Sequence, residues 1–389
     1  MEKSIIPYGH QSISEKDIKA VVEVLHSDFI TQGPYIEAFE NALKTYCNAQ
    51  YTIAVCNATA ALHLAYLALG VGKNDIVWTS PNTFLSTANA AIMCGASVDF
   101  IDICPITYNI SPDCLEEKLK QAAYKNKLPK VVTPVHFAGQ SCDMQKIYQL
   151  SQQYGFYIVE DASHAIGGKY LDKPIGSCQF SDITVFSFHP VKIITTGEGG
   201  ALLTNKKHLA DKIRQLRTHG MVRDQSEINN KNEGPWYYEM LDLGYNYRIT
   251  DIQCALGFSQ IKRLDQFVKK RYAIKKIYDN LLANIPDLTL PKQDTKSYSA
   301  LHLYPIQVPA EKRKQVFNYL RDHGIGVAVH YIPVYLQPYY QTMGFTNGYC
   351  LHAERYYQSA ISLPIFPDLQ AEQIDYISQC IKKGLALCP

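Results

Sequence analysis

The chain has 389 residues, of which 47% are hydrophobic and 19% charged, with 38 basic side chains against 36 acidic. That balance excludes a disordered or low-complexity protein and suits a large core divided over about two to three domains. A net charge of +2 gives no electrostatic case for a nucleic-acid partner, and no apolar run approaches the roughly 18 residues of a membrane span.

The opening MEKSIIPYGHQ lacks the apolar stretch and cleavage site of a secretory leader. The 11 cysteines are odd in number, scattered, and never spaced as CxxC. They read as reduced thiols of a cytoplasmic protein, not as a disulfide frame or a metal site. From about residue 50 to 205, short β-rich runs alternate with helical patterns. TIAV (52–55) reads as a strand and ALHLAYLALG (61–70) as a helix ending on glycine. IVW (76–78) and SVDFID (97–102) are strands on either side of the apolar stretch TANAAIMCG. CLEEKLKQAAYK (114–125) has helical spacing, with Ser111 and Pro112 placed to start it. KVVTPVHF, the helix MQKIYQLSQQYG, and the strands FYIVED (156–161), ITVFSF (183–188) and GALLTN (200–205) follow.

This alternation predicts an α/β fold with a mostly parallel central sheet and ligands beyond the carboxyl ends of its strands. From about residue 250 the pattern changes. Residues 250–282 read as one long helical stretch. Strand-like YSALHLYPIQV, the helix EKRKQVFNYLRDHG, the strand IGVAVHY and a terminal helix in AEQIDYISQCIKKGL come after it. The predicted division is a large domain, 1–250, and a linking helix with a smaller C-terminal α+β domain, 251–389.

Five segments carry candidate chemistry. In ITVFSFHPVKIITTGEGGALLT a strand ends near Ser187, and Lys192 follows beside a glycine-rich turn. A loop lysine can be a plain solvated cation. Its place beyond a buried strand, with glycines that let backbone approach a bound group, points to a ligand site instead. In FYIVEDASHAIGG, Asp161 ends a hydrophobic strand. It either caps a helix or holds a pyridinium nitrogen protonated, which makes that ring an electron sink. His164, three residues on, is either a partner of that ring or a polar residue satisfied in a turn. In AVCNATAALHLA, Ala58 and Thr59 open a helix whose N–H groups and hydroxyl suit a phosphate. In SPNTFLSTANA, Phe84 is a core residue or a cover for a flat ring. In LGYNYRITDIQCALG, Asn246 and Arg248 form a polar pair that caps a helix or meets a charged group. No GxGxxG follows an early strand, which disfavours a dinucleotide-dependent oxidoreductase.

Taken in order, these segments resemble the DegT/DnrJ/EryC1/StrS sugar-nucleotide aminotransferases over nearly the whole chain. FITQGPYIEAFENAL, VHFAGQ, HYIPVYLQPYY and SLPIFP add to the likeness. Leu301 departs from the tryptophan that the family carries before HLYP. The resemblance implies a pyridoxal-phosphate-dependent transferase of fold type I, aspartate-aminotransferase-like, whose cofactor cycles between its aldehyde (PLP) and amine (PMP) forms. It implies that Lys192 bonds the cofactor aldehyde and later moves protons between cofactor and sugar carbon. By the same resemblance Asp161 pairs with the pyridine nitrogen, His164 lies near the phenolic oxygen and Phe84 stacks on the ring. Ala58, Thr59 and Ser187 help hold the phosphate. Asn246 reaches the phosphate of a neighbouring subunit, with Arg248 nearby, so the resemblance implies a homodimer with shared active sites. Tyr8, Thr31, Gln32 and Gly33 match segments that border the sugar-nucleotide pocket, and His330 and Tyr331 match a C-terminal loop near it.

Within the family, IPYGHQSI, PVHFAGQ, FSFHPVKIITTGEGG and HYIPVYLQPYY are most similar to one branch. That branch aminates a UDP-linked 4-keto-6-deoxy-N-acetyl sugar, with L-glutamate as donor, on the way to pseudaminic acid. Branches that use a UDP-4-keto-pentose, a D-xylo UDP ketone, or GDP- or dTDP-keto sugars share much of this pattern and stand as alternatives. The dehydrase branch replaces the lysine by histidine, whereas Lys192 is present here. A non-catalytic scaffold of the same fold is the reading from a different class. The joint presence of Lys192, Asp161, Thr59 and Asn246 speaks against it.

Overall fold

The computed structural model describes residues 5–224, 226 and 228–387. Two amphipathic helices come first, α1 (Glu15–Leu25) and α2 (Pro34–Cys47). Ser14 and Asp17 make the capping box of α1, and Pro34 opens α2. Strands and helices then alternate: β1 (Tyr51–Val55), α3 (Ala58–Ala68), β2 (Ile76–Thr79), α4 (Leu85–Met93), β3 (Ser97–Phe100), α5 (Pro112–Tyr124), β4 (Val131–Thr133), α6 (Met144–Tyr154) and β5 (Tyr157–Asp161). Ser111 caps α5 by accepting the Cys114 N–H, with Pro112 in the first turn, as the sequence predicts. A small hairpin, β6 (Lys169–Tyr170) and β7 (Lys173–Pro174), precedes β8 (Ile183–Ser187), β9 (Gly200–Thr204) and α7 (Lys207–Arg217).

Seven strands form one sheet in the order β1-β9-β8-β5-β4-β2-β3. All are parallel except β9, which is antiparallel to both of its neighbours. The exception has a local cause. Residues 188–199 join β8 to β9 without a crossover helix, and a chain that turns straight back pairs antiparallel. That return loop holds Lys192. Both faces of the sheet are covered. Ile53, Val55, Val159, Val185 and Leu202 pack beneath α3 and α7, while Ala54, Phe186, Ala201 and Leu203 face α2 and the helices of the other layer.

Beyond α7 come a short pair, β10 (Met221–Val222) and β11 (Glu239–Met240), then α8 (Asp251–Ile261) and α9 (Leu264–Leu282). β12 (Ser297–Tyr298) pairs with β6. β13 (Tyr304–Gln307), α10 (Ala310–Asp322), α11 (Pro338–Gln341), α12 (Leu351–Ser359), β14 (Ala360–Leu363) and α13 (Ala371–Ala386) complete the chain. β13 and β14 pair antiparallel beneath α10 and α13. Among the described residues no helix is long and apolar enough to cross a membrane.

Three details differ from the sequence reading. The stretch 250–282 is two helices, broken at Lys262 and Arg263, where the Arg263 guanidinium turns to buried Asp17 and to the Ser12 carbonyl. IGVAVHY forms only single bridges, Ile6 to Ile325 and Ala328 to Ser362, because the N-terminal segment crosses it at Gly326. YSALHLYPIQV is strand only at its ends, Ser297–Tyr298 and Tyr304–Gln307, with Leu301 left-handed between them. The linking helices bridge two cores. Ile261, Leu264, Phe267 and Val268 pack with Phe39 and Phe186, whereas Ile274, Tyr278, Leu282 and the N-terminal Ile6 join the C-terminal core.

Candidate active site

A cavity of about 530 Å³ opens beyond the carboxyl ends of β5 and β8, where parallel sheets bind ligands. β5 delivers Asp161 to it, 4% exposed. No helix follows, so Asp161 caps none. Its Oδ2 accepts a hydrogen bond from the Thr87 hydroxyl at 2.6 Å, and its Oδ1 accepts the Ser163 N–H at 3.1 Å. Two donors therefore fix an acid against the cavity.

Lys192 enters from the return loop, its N–H bonded to the His189 carbonyl at 2.8 Å. Burial pushes its ammonium down to about 8, against the pull of the Asp161 charge. Imidazoles crowd it. His302 Nε2 lies 3.5 Å from Lys192 Nζ, and the His302 ring is 4.4 Å from that of His164. Burial, and then the Lys192 charge, hold His164 and His302 well below the usual histidine range. The same two causes push His330 down to about 4. His164 Nε2 meets the Tyr331 hydroxyl at 3.2 Å, and His330 Nδ1 meets the Ser362 hydroxyl at 2.9 Å. Among the described residues, the buried Nδ1 of His164 and that of His302 have no partner.

α3 aims its N-terminus at the same cavity. Asn57 caps it by accepting the Ala60 N–H at 2.8 Å. The N–H groups of Ala58 and Thr59, which line the cavity, have no intrahelical acceptor and sit at the positive end of the helix dipole. The approach depends on Gly200, where a Cβ would lie 2.6 Å from the Asn57 carbonyl carbon. Ser187, at the end of β8, lines the floor with its Oγ 3.5 Å from the His189 N–H. Phe84 is 58% exposed at the mouth, so it is no core residue. Tyr8 closes another side, its ring 5.6 Å from that of His330.

The cavity of this one chain brings together Tyr8, Ala58, Thr59, Phe84, Asp161, His164, Ser187, Lys192, His330 and Tyr331. Five residues expected near it lie elsewhere. The Thr31 carbonyl accepts the Asp251 N–H, and Gln32 Nε2 donates to the Ile249 carbonyl at 2.9 Å. Gly33 leaves no room for a side chain against the Asp251 carboxylate. These three brace the start of α8. Asn246 bridges to Thr218, and Arg248 to Val55. Two further residues reach the site, His302 at Lys192 and Thr87 at Asp161. Thr87 stands three positions after Phe84, one helical turn on, which is a readable signal. His302 opens the HLYP segment, a signal of likeness that says nothing of its role, because its place is made by a tertiary contact, the His302 N–H on the Ala138 carbonyl at 2.9 Å.

The profile of the DegT/DnrJ/EryC1/StrS aminotransferase family matches residues 11–382. The chain is 39% identical to the spore coat polysaccharide biosynthesis protein SpsC of Bacillus subtilis, over 97% of this chain and 96% of that one. It is 37% identical to the UDP-4-amino-4,6-dideoxy-N-acetyl-beta-L-altrosamine transaminase of Campylobacter jejuni, over the same 97% and 96%. Among solved structures, Helicobacter pylori PseC, an aminotransferase involved in the biosynthesis of pseudoaminic acid, matches with a TM-score of 0.91 at 31% identity. That match covers 99% of this chain and 100% of PseC. The α/β architecture is accordingly the pyridoxal-phosphate-dependent transferase fold type I. The chain belongs to the DegT/DnrJ/EryC1/StrS aminotransferase family.

Proposed function

We propose that the chain transfers the amino group of L-glutamate to C4 of UDP-2-acetamido-2,6-dideoxy-β-L-arabino-hexos-4-ulose. The product is UDP-4-amino-4,6-dideoxy-N-acetyl-β-L-altrosamine, a precursor of pseudaminic acid. The observation that carries the enzyme class is a lysine amine held near neutrality in one cavity with a buried, doubly bonded aspartate. The choice of sugar draws on the chain-long similarity to the Campylobacter enzyme.

Aminotransferases of this family use pyridoxal phosphate, and the residues present fit it. Asp161 suits the ring nitrogen, the free N–H groups of Ala58 and Thr59 suit the phosphate, and exposed Phe84 suits the ring face. The unpartnered Nδ1 of His164 is a further buried polar atom beside the cavity. When bound, the cofactor supplies an electron sink for the carbon that gains or loses the amine.

The chain's own residues do the rest. Asp161 keeps a proton on the ring nitrogen by its charge. Ser187 adds its hydroxyl to the α3 amides around the phosphate. Lys192 Nζ takes the proton from the donor's α-carbon and delivers one to C4 of the sugar. With its pKa near 8, roughly a quarter of it is free base at pH 7.5, against about one part in a thousand for an ordinary lysine. Tyr8, His330 and Tyr331 border the sugar side and narrow water's access. In this reading the protein is a cytoplasmic homodimer. Asn246 of each chain reaches the phosphate of the other, with Arg248 nearby, and Thr31, Gln32 and Gly33 border the pocket once the second chain is in place.

The test is a half-reaction. The protein is converted to its amine-cofactor form with L-glutamate, and the donor is removed. The L-arabino and D-xylo UDP-4-keto sugars are then added separately while the cofactor's visible absorbance is followed. Recovery with the L-arabino ketone alone is the expected result. Recovery with the D-xylo ketone alone refutes the proposed sugar and keeps the reaction class. A protein that never yields amine cofactor from glutamate refutes the donor.

A further inference from the structure

Two buried groups behind Lys192 take no part in the mechanism above. Arg271, on α9, is fully buried, and among the described residues no carboxylate meets its guanidinium. Its Nη1 donates to the carbonyls of Leu301 at 3.1 Å, His302 at 3.4 Å and Ile365 at 2.8 Å. A cation satisfied by carbonyl dipoles alone is costly to bury. What it secures is the backbone just ahead of β13 and just after β14, where the C-terminal unit meets the lysine.

The backbone around His302 is held from the other side too. Leu301 has φ +53°, and Ala138 and Gly139 have φ +57° and +96°. A side chain on Gly139 would place its Cβ 2.8 Å from the Leu301 nitrogen and 2.9 Å from the His164 carbonyl oxygen. The glycine thus admits residues 301 and 302 close to His164. The outcome is one fixed imidazole whose Nε2 points at Lys192 Nζ, 3.5 Å away, while the ring itself stays out of the cavity lining.

We infer that His302 is a positioning residue for Lys192, its Nε2 accepting a hydrogen bond from Nζ whenever the lysine is free, and that Arg271 holds His302 there through the backbone. The inference goes beyond the proposed reaction, and it rests on that reading only for its consequence in turnover. The groups that face Nζ are Asp161 from β5, His164, His302 and His330. Asp161 is the single anion among them and the imidazoles are neutral. None of these imidazoles competes with Nζ for a proton.

The test uses the full-length protein freed of cofactor. Trace acetylation is run across pH, and the peptide containing Lys192 is quantified by mass spectrometry. In the wild type the reactivity of Lys192 should titrate near pH 8. His302→Leu removes the acceptor while keeping water out, so its midpoint should fall by about one pH unit. His302→Gln, whose amide oxygen can accept, should restore most of that shift. With cofactor loaded, His302→Leu should lower kcat about tenfold or more while KM for the sugar nucleotide holds within about twofold. A leucine variant that melts like the wild type and titrates like it overturns the inference. Should the leucine variant not fold, His302→Asn and His302→Gln are compared, and equal midpoints for the two overturn it. A normal set of midpoints with no transfer to either sugar would refute the proposed reaction and leave this contact standing.

Discussion

Gly200 opens β9 directly beneath the first turn of α3, and a single methyl group there tests the phosphate cradle. In Gly200→Ala the new carbon would lie 2.6 Å from the Asn57 carbonyl carbon and 2.7 Å from the Ala58 nitrogen. Ordinary contact begins at 3.4 Å, so one partner must retreat by about 0.8 Å. β9 is hydrogen-bonded on both edges and buried along its length. The helix end must therefore give. Such overpacking costs about 1–3 kcal/mol. The same movement carries the Ala58 and Thr59 N–H groups off the position proposed for the phosphate, and losing about 1.4 kcal/mol of charge-assisted bonding weakens binding tenfold. Titration of cofactor-free protein with pyridoxal phosphate, followed by fluorescence, should show a Kd raised about tenfold. The melting temperature should fall by a few degrees. Gly197→Ala is the control. It has φ +80° and nothing within 4 Å of the added carbon, so backbone strain of about 1–2 kcal/mol should lower stability while affinity stays close to wild type. Unchanged affinity in Gly200→Ala would refute the assignment of the α3 terminus to the phosphate.

The cofactor-free protein should also lose thermal stability as the pH falls from 7 to 4. His164, His302 and His330 have folded-state pKa values below the ordinary 6.5, so the unfolded chain binds protons that the native chain refuses. Their stabilising contribution is complete above about pH 6.5 and drains away as the pH drops through the folded values. His330→Gln should make that decline shallower, and a melting temperature constant from pH 7 to 5 would contradict the neutral imidazoles. Shared active sites are tested with two defective chains. Lys192→Ala should lose about 10²–10⁴-fold in turnover with its general base, and Asn246→Asp about tenfold or more by setting a carboxylate against the phosphate. Once mixed and allowed to exchange subunits, they should regain one intact site in every hybrid dimer. No recovery, with exchange verified by mass, would count against Asn246 acting across the interface.

What the sequence made legible follows from how local each signal is. The strands of the parallel sheet, the Ser111–Pro112 helix start and the loop lysine are written in adjacent residues and appear where expected. GALLTN reads as a strand and is β9. Its reversed direction was not read, although the short link of residues 188–199 contains the reason. At the break between α8 and α9, Arg263 meets Asp17, which lies 246 positions away. Periodicity has no access to such a contact. The cavity shows the same contrast. Asp161 and Lys192 end or follow hydrophobic strands and announce themselves. His302 acquires meaning only because Leu301 adopts a left-handed conformation against Ala138 and Gly139.

The crossing of the N-terminal segment over Gly326 has a bearing on how the protein is made. Ile6 donates to the Gly324 carbonyl and accepts from the Gly326 N–H, so its partners are translated about 320 residues after it. At about 5–20 residues per second that is a delay of about 15–60 s. The α/β sheet and the Lys192 loop can assemble on the ribosome during that interval. Tyr8 cannot reach His330 until the C-terminal unit has emerged. The Tyr8–His330 side of the cavity can therefore form only after the sheet and the Lys192 loop have been translated.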